Sequence, residues 1–468
     1  MTTLLLLAAL AVVLALWGLT AARTPADYFA AGRRAGVWLV GVAGTAAGVS
    51  AFTFVGGPGL FAVAGAGSLW MILSAPVTGA LQCWAVGEPV VRLARRHGVV
   101  TVPSLLQLRA GLPAQGAAAV VLAVGAVASL AVQAKAAAVL GEAFLGVGGT
   151  TAAVAVLAAT AAYTAAGGMR AGLVADAVQG AVMAAVALVV AVAAVAAAGG
   201  PGEAVRTLAA ARPQLLGAFG PIPPAQAYAW YLLFCLGTLA QPHYLQKFLF
   251  LRDERQLRLL PAVLTGALAA TLTVWLGVGL GGAALVARGA VTIAFADELA
   301  PVVVAHLGPW AVALAGVAAL AALMSTSASF LNLAAAALTR DLPAALRRPP
   351  LPLWTAGLAT LVIAATATAV ALASQRAVAM LGLIGWGFFT AALLPALVVG
   401  LAWEGARPAP TVVAMVAGGL VDLLLETLRP SLPPGFEPGL AGAAVGTVVL
   451  VAGSCLRRSG DVAVAEAP

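Results

Sequence analysis

The sequence predicts an all-helical protein that crosses a membrane many times. Of its 468 residues, 63% are hydrophobic and only 9% are charged, and the mean hydropathy is +1.06. Soluble domains typically carry about 25% charged residues. The chain also contains repeated apolar runs of the length that a membrane helix needs, roughly 20 residues. Both observations exclude a soluble globular fold and predict a polytopic membrane protein.

Thirteen apolar runs are candidate transmembrane helices. They cover approximately residues 3–21, 36–62, 68–90, 117–141, 150–166, 172–199, 225–250, 260–287, 309–338, 353–373, 378–401, 410–427 and 438–456. The first run lacks the basic start and the small-residue cleavage site of a secretory signal peptide. We therefore expect it to be retained as a helix.

Lys and Arg residues are unevenly distributed among the predicted loops. With the N-terminus outside, eighteen fall in cytoplasmic loops, five in external loops, and Lys135 alone lies within a span. Cytoplasmic loops of membrane proteins carry an excess of these residues. We therefore expect a multi-pass protein of the cell membrane with its N-terminus outside and its C-terminus in the cytoplasm. The net charge of +8 follows from this topology and does not indicate nucleic-acid binding.

The polar stretches between the predicted spans are short. We expect no soluble domain, and the sequence contains no glycine-rich phosphate-binding loop with its Lys. Cys83, Cys235 and Cys455 lack metal-ligand spacing and are expected to be packing residues. These features favour a transporter driven by an ion gradient, with no obligatory protein partner, over an enzyme.

Two predicted spans are interrupted by helix-breaking residues near their middle. The second span contains GTAAGVSAFTFVGGPG (Gly44 to Gly59), and the seventh contains LGTLAQPHYLQK (Leu236 to Lys247). Paired interruptions in corresponding halves of a chain indicate a transporter binding site, because the freed backbone needs protein or a water-filled cavity around it. The two spans are five apart, so the second half would be inverted relative to the first. Alternatively, the glycines only allow close helix packing.

Hydroxyl side chains share one face of the ninth predicted span, AALMSTSASFLNLAAAALTRDL. Ala322, Ser325, Thr326 and Ser329 lie at helical offsets of three and four residues. Hydroxyl and carbonyl oxygens suit hard cations. The alternative is that each hydroxyl bonds back to the carbonyl four residues earlier.

The order of five motifs resembles that of the solute:sodium symporter family. The motifs are DYFAAGRR (Asp27 to Arg34), the interrupted stretch of the second span, YTAAGGMRAGLVADAVQG (Tyr163 to Gly180), GTLAQPHYLQKF (Gly237 to Phe248) and ALMSTSASFLNLAAAALTRDL. The resemblance implies about 13 transmembrane helices and a LeuT-type core of two inverted five-helix repeats with broken helices. It divides the chain into a first helix and loop (1–35), a first repeat (36–199), an extracellular loop (200–224), a second repeat (225–401), and two C-terminal helices with a short cytoplasmic tail (402–468).

The resemblance also implies a sodium site between the second and ninth spans. Its ligands would be the backbone carbonyls of Ala46, Val49 and Ala322 and the hydroxyls of Ser325 and Thr326.

A second sodium site is implied by the acidic position of the sixth span. In some relatives an Asp at the position of Asp176 contributes to it together with hydroxyls one turn beyond the first site, where this chain has Ser329 but also Ala328. The alternative is that Asp176 pairs with a basic loop residue such as Arg170. A charge inside a membrane helix is costly enough to suggest function.

Substrate contacts are expected from both interrupted spans. They are Ser50, Thr53 and the backbone near Gly56 in the second span, and Gln241 in the seventh. Lys135 either extends its ammonium to the membrane interface or, with Gln133, faces the cavity and offsets the charge of an anionic substrate.

Comparison with branches of the family favours a carboxylate as the solute. Proline-transporting relatives carry an Asp where Gly48 stands and a Trp where Phe52 stands, and sugar-transporting relatives carry amide and acidic groups there. The segments FVGGPG and AAGGPGEAVRTLAAARPQLLG look more like the pantothenate and monocarboxylate branch. We expect a sodium-coupled symporter of a small organic carboxylate. The alternatives are a proline or amino-acid symporter, a passive channel, and a solute sensor that acts with a separate signalling partner.

Overall fold

The computed structural model describes residues 34–50 and 52–456, without the side chains of residues 144, 145, 167, 170, 171 and 430. The first predicted span, most of the DYFAAGRR motif and the end of the predicted cytoplasmic tail lie outside these residues. Within the described chain the regular elements are helices, with one isolated bridge between Ala35 and Leu251.

Eighteen α-helices follow one another through the described residues. They are α1 Val37–Gly48, α2 Gly57–Ala64, α3 Ala75–Gln82, α4 Glu88–His97, α5 Val102–Leu140, α6 Gly149–Ala197, α7 Pro201–Ala211, α8 Pro224–Gly237, α9 Pro242–Phe248, α10 Leu260–Ala287, α11 Leu299–Leu307, α12 Pro309–Ala336, α13 Leu342–Ala345, α14 Leu353–Ala373, α15 Val378–Leu394, α16 Gly400–Ala402, α17 Pro408–Thr427 and α18 Pro438–Cys455. Short π-helical turns join several of them, at Phe52–Gly56, Cys83–Gly87, Gly141–Leu145, Ala337–Asp341 and Pro395–Val399. The 3-10 turns are Gly65–Met71, Pro213–Leu216, Thr238–Ala240, Glu254–Arg258, Ala296–Glu298 and Arg429–Ser431.

Ten helical segments among the described residues are long and apolar enough to span a membrane. The predicted all-helical, multi-pass membrane fold is therefore confirmed. The count of thirteen spans stays a prediction, since its first span lies outside the described residues. The long helix α6 holds two of the predicted spans, which meet at a kink where Gly168 adopts a φ of 57°. That left-handed conformation is open to glycine at little cost.

Both predicted interruptions are present. Helix α1 ends at Gly48, Val49 is extended with φ −86° and ψ 112°, and the helical path resumes at Phe52. In the second case α8 ends at Gly237, a 3-10 turn follows, and Gln241 is extended with φ −72° and ψ 113° before Pro242 begins α9. Extended residues leave backbone groups outside the helical hydrogen-bond ladder. Each broken span therefore offers free backbone at its middle.

Glycines elsewhere let the helices pack closely. A Cβ atom on Gly277 of α10 would lie 2.4 Å from the Cβ atom of Ala191 in α6, and one on Gly281 would lie 2.5 Å from the carbonyl oxygen of Ala194. A Cβ atom on Gly418 of α17 would lie 2.2 Å from the carbonyl oxygen of Ala391 in α15. Small residues at such contacts are typical of membrane helices, because dispersion drives their association.

A network of hydrogen bonds and ion pairs joins the two C-terminal helices, α17 and α18, to α8 and α15. Arg429 donates hydrogen bonds to Glu426 at 2.6 Å and to Glu437 at 3.1 Å. Gln226 in the first turn of α8 donates to Glu437 at 2.6 Å, and Arg376, just before α15, donates to Glu426 at 3.4 Å. Helices α17 and α18 are thereby tied to α8 and α15.

The prediction that all three cysteines pack inside the protein is wrong for one of them. Cys83 and Cys235 are buried, but Cys455 is exposed at the end of α18.

Candidate functional site

Two hydroxyls of α12 face the end of α1 at the first break. Ser325 Oγ donates a hydrogen bond to the carbonyl oxygen of Ala46 at 2.9 Å and lies 3.2 Å from that of Ala322. Thr326 Oγ1 lies 3.1 Å from the carbonyl oxygen of Ala47 and 3.3 Å from that of Val49. The five predicted sodium ligands are therefore brought together, and Ala47 joins them.

This oxygen cluster has fewer hydroxyl protons to donate than carbonyl oxygens to accept them. The two hydroxyls carry one proton each, while four carbonyl oxygens lie within hydrogen-bond distance of them. The carbonyls keep lone pairs that a cation can use. A cluster of neutral oxygens suits a hard cation such as sodium, and no group of three or more His, Cys, Asp or Glu residues in the described chain is placed to hold a different metal.

A cavity lies directly beside the oxygen cluster, between the two breaks. Its volume is about 110 Å³, below the roughly 300–1,000 Å³ of typical small-molecule sites. Residues of both broken spans line the cavity, and so does Thr326. Thr326 therefore belongs to the oxygen cluster and also faces the cavity. The polar residues that line it are Ser50, Ser74, Thr53, Thr78, Ser129, Gln133, Thr238, Gln241, His243, Tyr244 and Thr326.

Four of the six predicted substrate contacts line this cavity. They are Ser50, Thr53, Gln133 and Gln241. Gly56 does not line it, because a Cβ atom there would lie 3.1 Å from the backbone nitrogen of Ala379. Gly56 packs against the first turn of α15, and a contact of its backbone with the solute stays a prediction.

Lys135 does not line the cavity either. Its Nζ donates a hydrogen bond to the carbonyl oxygen of Ser374 at 3.2 Å, in the loop before α15. The helix explains the difference from Gln133, since residues two positions apart point about 200° apart at roughly 3.6 residues per turn. The bond to Ser374 favours the alternative in which the long side chain extends toward the end of the span, and an interaction of Lys135 with an anionic solute stays a prediction.

Asp297, whose carboxylate lies near the Lys135 ammonium, holds the start of α15. The carboxylate of Asp297, which is 4% exposed, accepts a hydrogen bond from the backbone N–H of Val378 at 2.8 Å. Burial raises the pKa of Asp297, while the bond from Val378 and the nearby Lys135 ammonium lower it. The carboxylate therefore caps the first turn of α15, where its negative charge interacts favourably with the positive end of the helix dipole.

Asp176 is paired with a basic residue from the second broken span. Lys247 Nζ lies 2.5 Å from Asp176 Oδ2, and the side chains of Lys247 and Asp176 are 5% and 2% exposed. Ser329 Oγ lies 3.4 Å from the same carboxylate oxygen. The eighteen basic residues counted above as cytoplasmic include Lys247, which lies buried in α9. The predicted alternative partner, Arg170, has a side chain outside the described part.

Aromatic rings form one wall of the cavity. The ring of Phe234 stacks on Phe52 with centroids 5.7 Å apart and on Trp386 with centroids 4.9 Å apart. The ring of Trp275 meets Phe52 edge-on at 5.2 Å. Phe52 follows the first break and Phe234 precedes the second. The rings therefore connect the two interrupted spans across the cavity.

The two breaks also touch directly. A Cβ atom added to Gly48 would lie 1.7 Å from the hydroxyl oxygen of Tyr244, so the phenol occupies the space that any larger side chain would need. Tyr244 is 8% exposed and lies in the first turn of α9. The absence of a side chain at Gly48 lets the two broken spans meet.

Sequence patterns missed several residues of the site. Ala47 has no polar side chain, and its role comes only from its free carbonyl. Lys247, Tyr244 and His243 lie in the recognised QPHYLQK segment, so their proximity to a break was a usable signal. Trp386 comes from α15, which carries no polar motif that would have drawn attention to it.

The cavity has little charge. None of the described Lys, Arg, Asp or Glu residues lines it. The backbone N–H groups of Phe52, Thr53 and Phe54 already bond to Ser50. An anionic group in the cavity would therefore depend on hydroxyls, amides, the positive end of the resumed helix and the adjacent oxygen cluster with its cation. Helix N-termini favour negative charge.

The sequence is similar to known transport proteins along most of its length. Residues 28–418 match the Sodium:solute symporter family. The chain is 30% identical over 417 residues to a sodium/pantothenate symporter of Escherichia coli, covering 86% of this chain and 85% of that protein. It is 26% identical over 393 residues to a sodium/pantothenate symporter of Haemophilus influenzae, covering 81% and 80%.

The fold is similar to those of two solved transporters. One is a Na⁺-coupled sialic acid symporter in a substrate-bound, outward-open state, with a TM-score of 0.83, 17% identity and 98% coverage of both chains. The other is a nucleobase-cation-symport-1 family transporter in a closed conformation, with a TM-score of 0.55, 12% identity and coverage of 94% and 98%. At these identities the likeness concerns the fold alone.

Proposed function

Because this chain belongs to the sodium:solute symporter family, we propose that it imports a small, pantothenate-like carboxylate together with sodium. The contact of Thr326 with both the oxygen cluster and the cavity is the observation that carries the proposal. A cation bound at the cluster would lie next to a solute in the cavity. The names of the two bacterial relatives support pantothenate as the first carboxylate to test.

Sodium would bind at the break of the first interrupted span. Its ligands would be the carbonyl oxygens of Ala46, Val49 and Ala322 and the hydroxyl oxygens of Ser325 and Thr326. Support comes from the distances of 2.9–3.3 Å that join these oxygens. When sodium enters, the hydroxyl protons would turn away from the carbonyls, and the cation would replace them as their partner.

The carboxylate of the solute would lie at the start of the resumed helix, near Ser50 and Thr53. The start of a helix carries partial positive charge, and a hydroxyl can donate a hydrogen bond to an anion. Sodium in the neighbouring cluster would supply a full positive charge. The solute charge would therefore need no Lys or Arg in the cavity, and Gln133 and Gln241 would contact its uncharged part.

We propose one sodium ion per solute rather than two. The Asp176 carboxylate, which with Ser329 would form the second site, is engaged by the Lys247 ammonium at 2.5 Å. The ammonium already supplies the positive charge that a buried carboxylate needs. A second sodium would have to displace it and leave a buried ammonium without its partner.

In this cycle the protein would bind, order and release its two ligands without a catalytic residue. It would lie in the cell membrane with its N-terminus outside and its C-terminus in the cytoplasm, as the distribution of Lys and Arg favours. The cycle requires the solute, sodium and the bilayer, and no obligatory protein partner.

Uptake by the purified protein in proteoliposomes tests the proposal. With an inward sodium gradient, radiolabelled pantothenate should accumulate above its external concentration, and replacing sodium by potassium should abolish accumulation. Unlabelled proline and pyruvate, added as competitors, test the other solute classes. Binding without flux would indicate a sensor, equilibration without accumulation would indicate a channel, and sodium-driven uptake of proline alone would overturn the carboxylate assignment.

A further inference from the structure

The imidazole of His243 lies in the wall of the cavity without a hydrogen-bond partner. The residue is 2% exposed, and neither Nδ1 nor Nε2 has a partner in the structure. Buried polar side-chain atoms nearly always have one, because burial without a hydrogen bond costs free energy. The missing partner therefore requires an explanation.

Neighbouring side chains do not supply that partner. The imidazole centroid lies 4.6 Å from the ring centroid of Tyr244, 4.8 Å from that of Phe330 and 6.3 Å from that of Trp386. These contacts hold the ring in place through its faces and edges. They fix its orientation and leave the two nitrogens available.

Two further polar atoms beside the second break are in the same condition. Gln241 uses its Nε2 to donate to the carbonyl oxygens of Gly237 at 3.3 Å and Trp386 at 3.2 Å, and its Oε1 has no partner. The indole Nε1 of Trp386 also lacks one. Three residues that line one cavity thus offer hydrogen-bond donors and acceptors that the protein does not use.

The chemistry of these atoms indicates an uncharged polar group. A neutral imidazole has one N–H donor and one lone-pair acceptor, the amide oxygen accepts, and the indole N–H donates. A hydroxyl group, which both donates and accepts, complements this set. A carboxylate does not, because it would face the amide oxygen and an imidazole lone pair.

We propose that His243, with Gln241 and Trp386, forms a hydroxyl-recognition subsite for the end of the solute opposite its carboxylate. This inference rests on the proposed function. It adds that the transported carboxylate carries at least one hydroxyl group, which distinguishes it from simple monocarboxylates. The polar atoms are sealed from solvent in this structure, so the solute reaches them when the surrounding aromatic rings move apart.

Competition binding with two matched ligands tests the subsite. The ligands are pantothenate and N-(3,3-dimethylbutanoyl)-β-alanine, which is pantothenate without its two hydroxyls. Binding is measured in sodium on the purified parent protein, on His243→Phe and on the control His306→Phe, which replaces an exposed histidine at the end of α11. The parent and the control should prefer pantothenate by about tenfold or more, because a site built for a hydroxyl discriminates against an analogue that lacks it.

His243→Phe should weaken pantothenate binding about tenfold, leave the analogue's affinity unchanged, and bring the ratio of the two affinities close to one. His243→Gln, which keeps a donor and an acceptor, should restore part of the preference. If His243→Phe does not fold, Trp386→Phe carries the test, because it loses the Nε1 donor and should reduce the preference.

Two results would overturn the subsite: a parent protein with equal affinity for both ligands, or equal weakening of both by His243→Phe. A parent protein that binds neither carboxylate in sodium would instead overturn the proposed function, and the subsite with it. The two failures are therefore distinguishable.

Discussion

Ser325 Oγ donates a hydrogen bond of 2.9 Å to the carbonyl oxygen of Ala46, which lies 279 residues earlier in the sequence. The bond joins α12 to α1. The bond exists because α1 ends at Gly48 and leaves its last carbonyls outside the helical ladder. Thr326 repeats the arrangement one residue later with Ala47 and Val49. This pairing of a hydroxyl face with a broken helix is where we propose that sodium binds.

Thr326→Ala should lower the apparent sodium affinity about tenfold or more, because it removes one hydroxyl ligand next to carbonyls that remain. The measurement is solute uptake as a function of sodium concentration. Thr368→Ala is the matched control, since that hydroxyl bonds only to the carbonyl of Ala364 within α14. Equal sodium dependence in Thr326→Ala and the parent protein would contradict the assignment.

Lys247→Met should destabilise the protein by roughly 3–5 kcal/mol, because it leaves the Asp176 carboxylate buried without its partner. The double variant Asp176→Asn, Lys247→Met should recover most of this loss. Thermal unfolding of the purified proteins measures both effects. A double variant no more stable than Lys247→Met would mean that the ion pair is not what the single change removes.

Uptake by the same double variant should depend on sodium with a Hill coefficient of about one, as uptake by the parent protein should. If Asp176 were a sodium ligand, the variant would instead change the Hill coefficient for sodium. A parent coefficient near two that falls to one in the double variant would therefore establish the second site and refute the proposed stoichiometry.

Lys135→Met should leave the solute concentration at half-maximal uptake within about twofold of the parent value. The ammonium bonds the carbonyl of Ser374 and lies outside the cavity. Gln133→Ala, two residues away on the cavity face, should raise that concentration about tenfold through a lost hydrogen bond. A larger effect at Lys135 than at Gln133 would restore the interpretation of Lys135 as the partner of an anionic solute.

Sodium should raise the affinity for the solute, and the solute should raise the affinity for sodium by the same factor. The segment from Ala46 to Thr53 supplies carbonyl oxygens to the oxygen cluster and also lines the cavity. Ordering this segment for one ligand therefore reduces the free-energy cost of ordering it for the other. Equilibrium binding of pantothenate at several sodium concentrations measures the coupling. A dissociation constant that ignores sodium, in a protein that binds both ligands, would show that the shared segment does not couple them.

Gly48→Ala should destabilise the contact between the two broken spans by about 1–3 kcal/mol and slow uptake, because the new Cβ atom would overlap the Tyr244 hydroxyl. Gly316→Ala in α12 is the control, since a Cβ atom there meets no atom within 4 Å. Thermal unfolding and initial uptake rates report the two effects. Equal values for both variants would mean that Tyr244 moves aside without cost.

The sequence by itself determined the class of protein, the two broken spans and the hydroxyl face of α12. Composition decides membrane insertion, because apolar runs of sufficient length partition into lipid wherever they lie in the chain. Glycine and proline break helices through their own backbone geometry. The offsets of Ser325 and Thr326 from Ala322 placed all three on one face before any partner was known.

Only the tertiary structure decided which charged residues pair and which side chains enter the cavity. Asp176 and Lys247 are 71 residues apart and meet because α6 and α9 both pack against α1. Gln133 and Lys135 are two residues apart and have different environments, because the rotation of α5 about its axis turns one inward and the other away. Sequence spacing gives the relative direction of side chains on one helix. The rotation and neighbours of that helix come from packing against all the others, and this is why the partners of Lys135, Gly56 and Asp176 could not be read from the chain.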